Sequence, residues 1–283
     1  MTVPERGEYH KAHFALLTLH QKERAIAPVL ERAFEATLEV ISSFDTDTLG
    51  TFTREIPRRG TQLEAARSKA RLCISQTGCA LGLGSEGAFS AGPFGLGSTN
   101  TELIVLLDDN RGLEVIGQAA APGHHHHGVA SGWEELEHHL STISFPSHGV
   151  TLRPDHENAP GVTKALDSWE GARAAFRLTQ AISTRGLVFF ESELRAHLNP
   201  TRMQTIAAAA EDLVSRLATT CPHCACPGFG PAGITRGLPC EACGAPTNAV
   251  RSRDSACPAC LHRRSEPVAE PAASARWCPH CNP

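Results

Sequence analysis

Cys221-Pro-His-Cys224, Cys240-Glu-Ala-Cys243, Cys257-Pro-Ala-Cys260 and Cys278-Pro-His-Cys281 punctuate the end of this 283-residue chain. Nine of its eleven cysteines fall between Cys221 and Cys281, and only Cys73 and Cys79 come earlier. A two-residue spacer lets both sulfurs of a pair approach one ion, and two pairs complete a tetrahedral four-thiolate site with no open position. Separations of 15, 13 and 17 residues between successive pairs are close to those of zinc ribbons. The eight cysteines Cys221, Cys224, Cys240, Cys243, Cys257, Cys260, Cys278 and Cys281 are therefore expected to hold two structural zinc ions. An iron–sulfur cluster is the alternative ligand chemistry. Pairing is open at this stage: consecutive, interleaved, or nested around an inner ribbon. Cys226 is left over and is not expected to be a ligand. The tail has few large apolar side chains, so metal binding would supply its folding energy.

Working outward, charge changes at the same boundary. Residues 1–218 carry 20 Lys+Arg against 26 Asp+Glu, and residues 219–283 carry 6 against 4, so net −6 gives way to +2. An α/β domain over 1–218, with residues 1–11 flexible, is expected to precede a cysteine-organised tail over 219–283. With 41% hydrophobic residues and a net charge of −4, the chain can build an ordinary core and lacks the basic field of a non-specific nucleic-acid binder. No apolar run reaches the ~20 residues of a membrane span. The polar start does not read as a secretory signal, so a cytoplasmic location is expected and disulfides are disfavoured.

In the first part, His13-Phe-Ala-Leu-Leu reads as a buried strand. Ile26, Val29, Leu30 and Phe34 mark one face of a helix containing Pro28. Leu38–Ile41 reads as a second strand. Thr61 with Glu64 makes a capping box for a helix that Gly78 stops. Ala80–Gly87 reads as a strand running into a glycine-rich loop, and 102–107 with 113–117 as a hairpin. Helices over 131–142, 168–184 and 202–218 and strands over 149–152 and 187–190 complete the pattern. Interleaving of this kind predicts a mixed sheet flanked by helices.

Three loops carry unusual chemistry. Thr18-Leu-His20-Gln-Lys22 joins the first strand to its helix, where a phosphate can sit at the helix N-terminus. Lys22 and Lys69 are two of only four lysines beside 22 arginines, which hints at a need for a compact charge. Ser85-Glu86-Gly87 suits a cation or a general base. The stretch Glu191–Arg202 packs Glu193, Arg195 and His197 ahead of a helix that Asn199 caps with Pro200 first. Lys22, Lys69, Glu86, Glu193, Arg195 and His197 are accordingly expected around one cleft. Asp45, Asp47 and Glu55 form a further acidic group that an exposed polar loop would equally explain. His124–His127 reads as a mobile surface loop, and Cys73 and Cys79 as ordinary thiols.

The chain resembles an uncharacterised bacterial family of unknown function. The resemblance rests on Lys22-Glu-Arg-Ala-Ile-Ala-Pro, Asp45-Thr-Asp, Gly50-Thr-Phe-Thr-Arg-Glu, Ser85-Glu-Gly, Arg195-Ala-His-Leu-Asn-Pro-Thr-Arg-Met and Cys278-Pro-His-Cys-Asn-Pro. More distantly, residues 13–150 are similar to the inosine triphosphatase-like and Maf-like pyrophosphatases, through Thr18…Lys22 and Thr61-Gln-Leu-Glu-Ala-Ala-Arg-Ser-Lys69-Ala. His20 stands where that family has Asn, and its Asp-Asp-Ser-Gly pattern is absent. The resemblance implies Mg²⁺- or Mn²⁺-assisted attack of water on a phosphoanhydride, with Glu55 and Glu86 holding the metal and Lys22 and Lys69 neutralising phosphate. A small phosphorylated ligand is the partner it implies. The competing expectation is a non-enzymatic module that binds a ligand, a protein or nucleic acid, with Arg251, Arg253, Arg263 and Arg264 of the tail in favour and scarce aromatics against.

Overall fold

The first strand, β1 (His13–Leu17), is almost wholly buried and lies parallel to both its neighbours. The structure is a computed structural model that describes residues 7–42, 60–92 and 97–282. Asp45, Asp47 and Glu55 lie outside the described residues, as do residues 1–6 of the stretch expected to be flexible. Within 7–11, by contrast, Tyr9 is 1% exposed and the Lys11 amide donates to the Phe34 carbonyl.

From β1 the chain enters α1 (Glu23–Phe34), which buries Ile26, Val29, Leu30 and Phe34 and carries Pro28 within it. It returns through β2 (Thr37–Ile41), parallel to β1. The helix α2 (Gln62–Thr77) opens with the full reciprocal capping box between Thr61 and Glu64 and closes on left-handed Gly78. Next come β3 (Leu81–Ala91), β4 (Ser98–Asp108) and β5 (Leu113–Gly123), giving a mixed sheet in the order β2-β1-β3-β4-β5. The α2 helix packs on β1, β3 and β4, and two glycines of β3 allow its close approach. A Cβ on Gly84 would lie 1.9 Å from the Ala66 carbonyl oxygen, and one on Gly82 2.3 Å from that of Ala70.

Here the structure corrects one expectation. Ser85-Glu86-Gly87 is the interior of β3, paired residue for residue with Ile104, Leu103 and Glu102 of β4, rather than a loop. The glycines that suggested a loop are there because α2 and a buried ion pair press against the strand.

A second, antiparallel sheet, not foreseen in the sequence, accompanies the expected mixed one. It comprises β6 (His127–Ala130), β7 (Val150–Pro154), β8 (Thr163–Leu166) and β9 (Val188–Ser192), in the order β6-β9-β7-β8. Its core joins Leu136 and Leu140 of α3 (Trp133–Thr142) and Phe176 of α4 (Trp169–Ile182) to Val150, Leu152, Val188 and Phe190. Histidines 124–126 link β5 to β6, which His127 begins, and the His126 amide and carbonyl bond the Ser192 hydroxyl and amide at 3.0 and 2.8 Å. Asn199 caps α5 (Pro200–Leu217), accepting from the Arg202 amide at 3.0 Å.

The chain divides into two compact units: the described residues within 10–112 and 116–214 form one, and 7–9, 113–115 and 215–282 the other. In the second unit β10 (Gly230–Arg236), β11 (Val250–Ala256) and β12 (Arg263–Pro267) form an antiparallel meander with β11 central. The protein is thus an α/β fold with a small zinc-ribbon-like C-terminal region. Among the described residues no helix is long and apolar enough to cross a membrane.

Candidate functional site

Lys22 is the N-cap residue of α1, yet its side chain is not spent on the helix. It is 5% exposed, and its Nζ donates to the Ser85 carbonyl at 2.9 Å and the Ser85 hydroxyl at 3.1 Å. Glu86, the next residue, faces the other side of β3 and pairs with Lys69 of α2. Alternation along a strand dictates this split. The two halves still interact, because β1 pairs with β3 only as far as Leu83 and ends at Leu17. Ser85 and Glu86 therefore lie past the carboxyl end of β1, where Lys22 feels Arg202, Glu102, Glu86 and Lys69.

The partner that sequence reasoning missed is Glu102 on β4. It is 0% exposed, and it accepts from Arg202 Nε at 2.6 Å. Arg202 is itself 1% exposed and also donates through Nη1 to the Leu194 carbonyl. Gly87 stands opposite Glu102 in the register, and a Cβ there would meet Glu102 Oε1 at 2.3 Å and Arg202 Nη2 at 2.4 Å. The signal in the sequence was slight: a charged residue at the head of the apolar run Leu103–Leu107.

Around these lie His20 and His197, whose rings stack at 5.5 Å. Burial, then the charges of Lys22, His197, Arg195 and Arg202, push His20 down to about 3, so its ring is neutral at neutral pH. His197 is lowered by burial and by Arg195. Burial, followed by Arg202, brings the Lys22 ammonium down to about 7. Glu193 is 1% exposed: burial pushes its carboxyl up, but the Arg195 guanidinium 2.6 Å away and the Arg195 and Ala165 amides hold it below its ordinary value. It clips the loop after β9 to β8.

Lys22, Lys69, Glu86, Arg195 and His197 thus belong to one electrostatic neighbourhood, joined through His20 and Arg202, with Glu193 at its margin holding Arg195. Glu86 is not poised as a magnesium ligand, since Lys69 holds its carboxylate. Among the described residues no carboxylates converge into a three-ligand group.

The cysteines do converge. Cys221, Cys224, Cys257 and Cys260 form one group, and Cys240, Cys243, Cys278 and Cys281 the other. Sulfur–sulfur separations are 3.8 Å for Cys221–Cys260, 3.7 Å for Cys224–Cys257, 4.0 Å for Cys240–Cys281 and 3.8 Å for Cys243–Cys278. A tetrahedron with metal–sulfur bonds of ~2.3 Å has edges of ~3.8 Å, so these groups fit a metal ion and are far too wide for disulfides.

Three of the pairs share one turn: the amides of Cys221, Cys240 and Cys257 donate to the carbonyls five residues on, Cys226, Ala245 and His262. The residue after the second cysteine is left-handed in each, at Ala225, Gly244 and Leu261. Cys226 occupies the place of Ala245 and His262, which explains why it is outside the ligand groups. Amides of Cys281 and His280 draw the Cys278 thiol down to about 7, toward the thiolate a metal needs.

No curated protein and no solved structure matches the chain. A family model described as a domain of unknown function (DUF6671) matches residues 69–283, from the middle of α2 through the last cysteine pair. On that match, the chain belongs to the DUF6671 family.

Proposed function

We propose that the α/β unit binds a phosphorylated small molecule or nucleotide beyond the carboxyl end of β1, and that the tail is a structural two-zinc module. The observation that carries the first half is Lys22. It is a buried cation at the N-terminus of a helix, where the dipole already favours negative charge. Arg202 and Lys69 lie beside it, and the acids present answer only part of this charge. An anion entering here would offset the burial and, after it, the repulsion from Arg202 that together depress Lys22.

Hydrolysis of a phosphoanhydride is the reaction in best keeping with this reading. Lys22 would stabilise charge on the leaving phosphate. His20, kept neutral, can orient the attacking water by a hydrogen bond; at about 3 it is too weak a base to hold water's proton, which passes to solvent. Glu86, engaged by Lys69, is not a free carboxylate for magnesium here. The test is a panel of ordinary and deaminated nucleoside triphosphates, followed for pyrophosphate release and for calorimetric binding. Turnover lost in Lys22→Met supports the enzyme, and binding without turnover supports a sensor. Absence of both removes the reading.

For the tail, zinc would close the structure and supply folding energy rather than catalysis, since four thiolates leave no open position. Metal analysis of protein purified under reducing conditions should find zinc on the cysteines, and a value near zero would overturn this half. A nucleic-acid role for the tail is favoured by one observation, that Arg251, Arg253, Arg263 and Arg264 are all exposed. Salt-dependent retention on a nucleic-acid column would support it.

A further inference from the structure

We infer that His124, His126 and His148 form a further metal site, an imidazole site distinct from the cysteine groups and suited to a borderline divalent cation such as Zn²⁺, Ni²⁺ or Co²⁺. Two of these histidines come from the link between β5 and β6, and the third stands in the turn before β7. The chain holds each in place by its backbone or side chain. The His126 peptide is clamped to Ser192, and the His124 carbonyl accepts from Asn199 Nδ2 at 3.3 Å. His148 lies 2.9 Å from the Thr201 hydroxyl through Nε2. The His124 and His148 rings stack at 3.8 Å, and those of His124 and His126 lie edge to face at 4.6 Å.

The second observation is the unmet nitrogen. His148 is 9% exposed, and its Nδ1 and that of His124 are buried without a hydrogen-bond partner. A buried polar atom left unpaired costs about 1–3 kcal/mol, so two in adjacent rings ask for an occupant. The Thr201 hydroxyl suggests which kind. With Nε2–H donating to Thr201, His148 Nδ1 carries a lone pair, and a hydrogen-bonded far nitrogen is the usual support of a metal-bound imidazole.

The rings are stacked rather than converged here. Coordination by all three therefore requires rotation about the side-chain bonds of exposed His126 and half-buried His124. Three imidazoles leave one of four tetrahedral positions for water or a ligand, as in catalytic rather than structural sites. The preference for imidazole donors selects the later divalent transition metals over magnesium or calcium.

The test uses the full chain, with its cysteines loaded with zinc under reducing conditions, titrated with Co²⁺ and weighed by native mass spectrometry. The wild type should take one ion beyond those on the cysteines, with visible bands lacking thiolate charge transfer. His126→Ala and His148→Gln should each lose that ion, with circular dichroism showing the fold retained. Because His126 is exposed, its variant decides the matter even if His148→Gln fails to fold. His125→Ala, which removes a ring packed on Phe89 outside the trio, should keep it. No extra ion in the wild type overturns the inference. So does an ion that survives in His126→Ala, or one lost equally in His125→Ala, which would mark adventitious binding by the histidine run.

Discussion

Arg202 has its charge answered in the interior by Glu102 and the Leu194 carbonyl, and the two charged side chains are 1% and 0% exposed. Breaking such a pair from one side leaves a bare buried charge, which costs more than the pair itself contributes. Arg202→Met should therefore destabilise the α/β unit by about 3–5 kcal/mol, read as a shift of its urea midpoint. Replacing both partners with apolar residues should recover part of that loss, and a double variant no better than the single would contradict the argument.

Lys22 gives a pH signature. Its folded value of about 7 lies below the ordinary 10.5, so the unfolded chain binds this proton more tightly. The resulting penalty is fully present below about 7 and fades as pH rises toward 10.5, so stability should climb across that window. Lys22→Met should flatten the climb. Binding of a phosphorylated ligand should run the opposite way in the wild type, weakening above about pH 7 as the ammonium loses its proton. A pH-independent affinity would detach Lys22 from the site.

At the scale of elements, α2 and β3 depend on each other through backbone rather than side chains. Gly84→Ala would drive a Cβ into the Ala66 carbonyl at 1.9 Å and the Ala70 amide at 2.8 Å, and neither backbone atom can move without shifting the helix. A loss of about 3 kcal/mol is expected in thermal unfolding. Thr61→Ala, which removes only the cap, should cost about 1 kcal/mol.

The contrast explains what was legible. The capping box is a local pattern, written in Thr61 and Glu64 alone. The role of Gly82, Gly84 and Gly87 is set by what presses on them from α2 and from Arg202, a residue far away in the chain. Hence Ser85-Glu86-Gly87 reads as a loop in the sequence and is a strand in the fold. The same holds for Glu102: nothing within its own strand announces a partner 100 residues later.

For the molecule as a whole, the arrangement of the cysteine groups follows from strand direction. The pair at Cys221 precedes β10 and the pair at Cys257 follows β11; in an antiparallel meander those points share one end of the sheet. The pair at Cys240 joins β10 to β11 at the other end, the end to which β12 returns before the pair at Cys278. Interleaving is the result. Cys221→Ser with Cys257→Ser should lower the count of cysteine-bound ions by one, and Cys221→Ser with Cys240→Ser by two, measured by metal analysis. Consecutive pairing would reverse those numbers, and nested pairing would give two in both.

What the chain's own order determined is every feature written within a few residues: the Cys-x-x-Cys ligands, the excess of Cys226, the capped helices, the alternation of strands and helices, and the gathering of Glu193, Arg195 and His197 before Asn199. Such features rest on short-range geometry that any window of sequence contains. Long-range packing alone settles which cysteine pairs come together, that Lys22 and Lys69 act from opposite faces of one strand, that Glu102 holds Arg202, and that His148 stacks on His124. Each of those depends on strand register and direction, which bring distant residues together and leave no local trace.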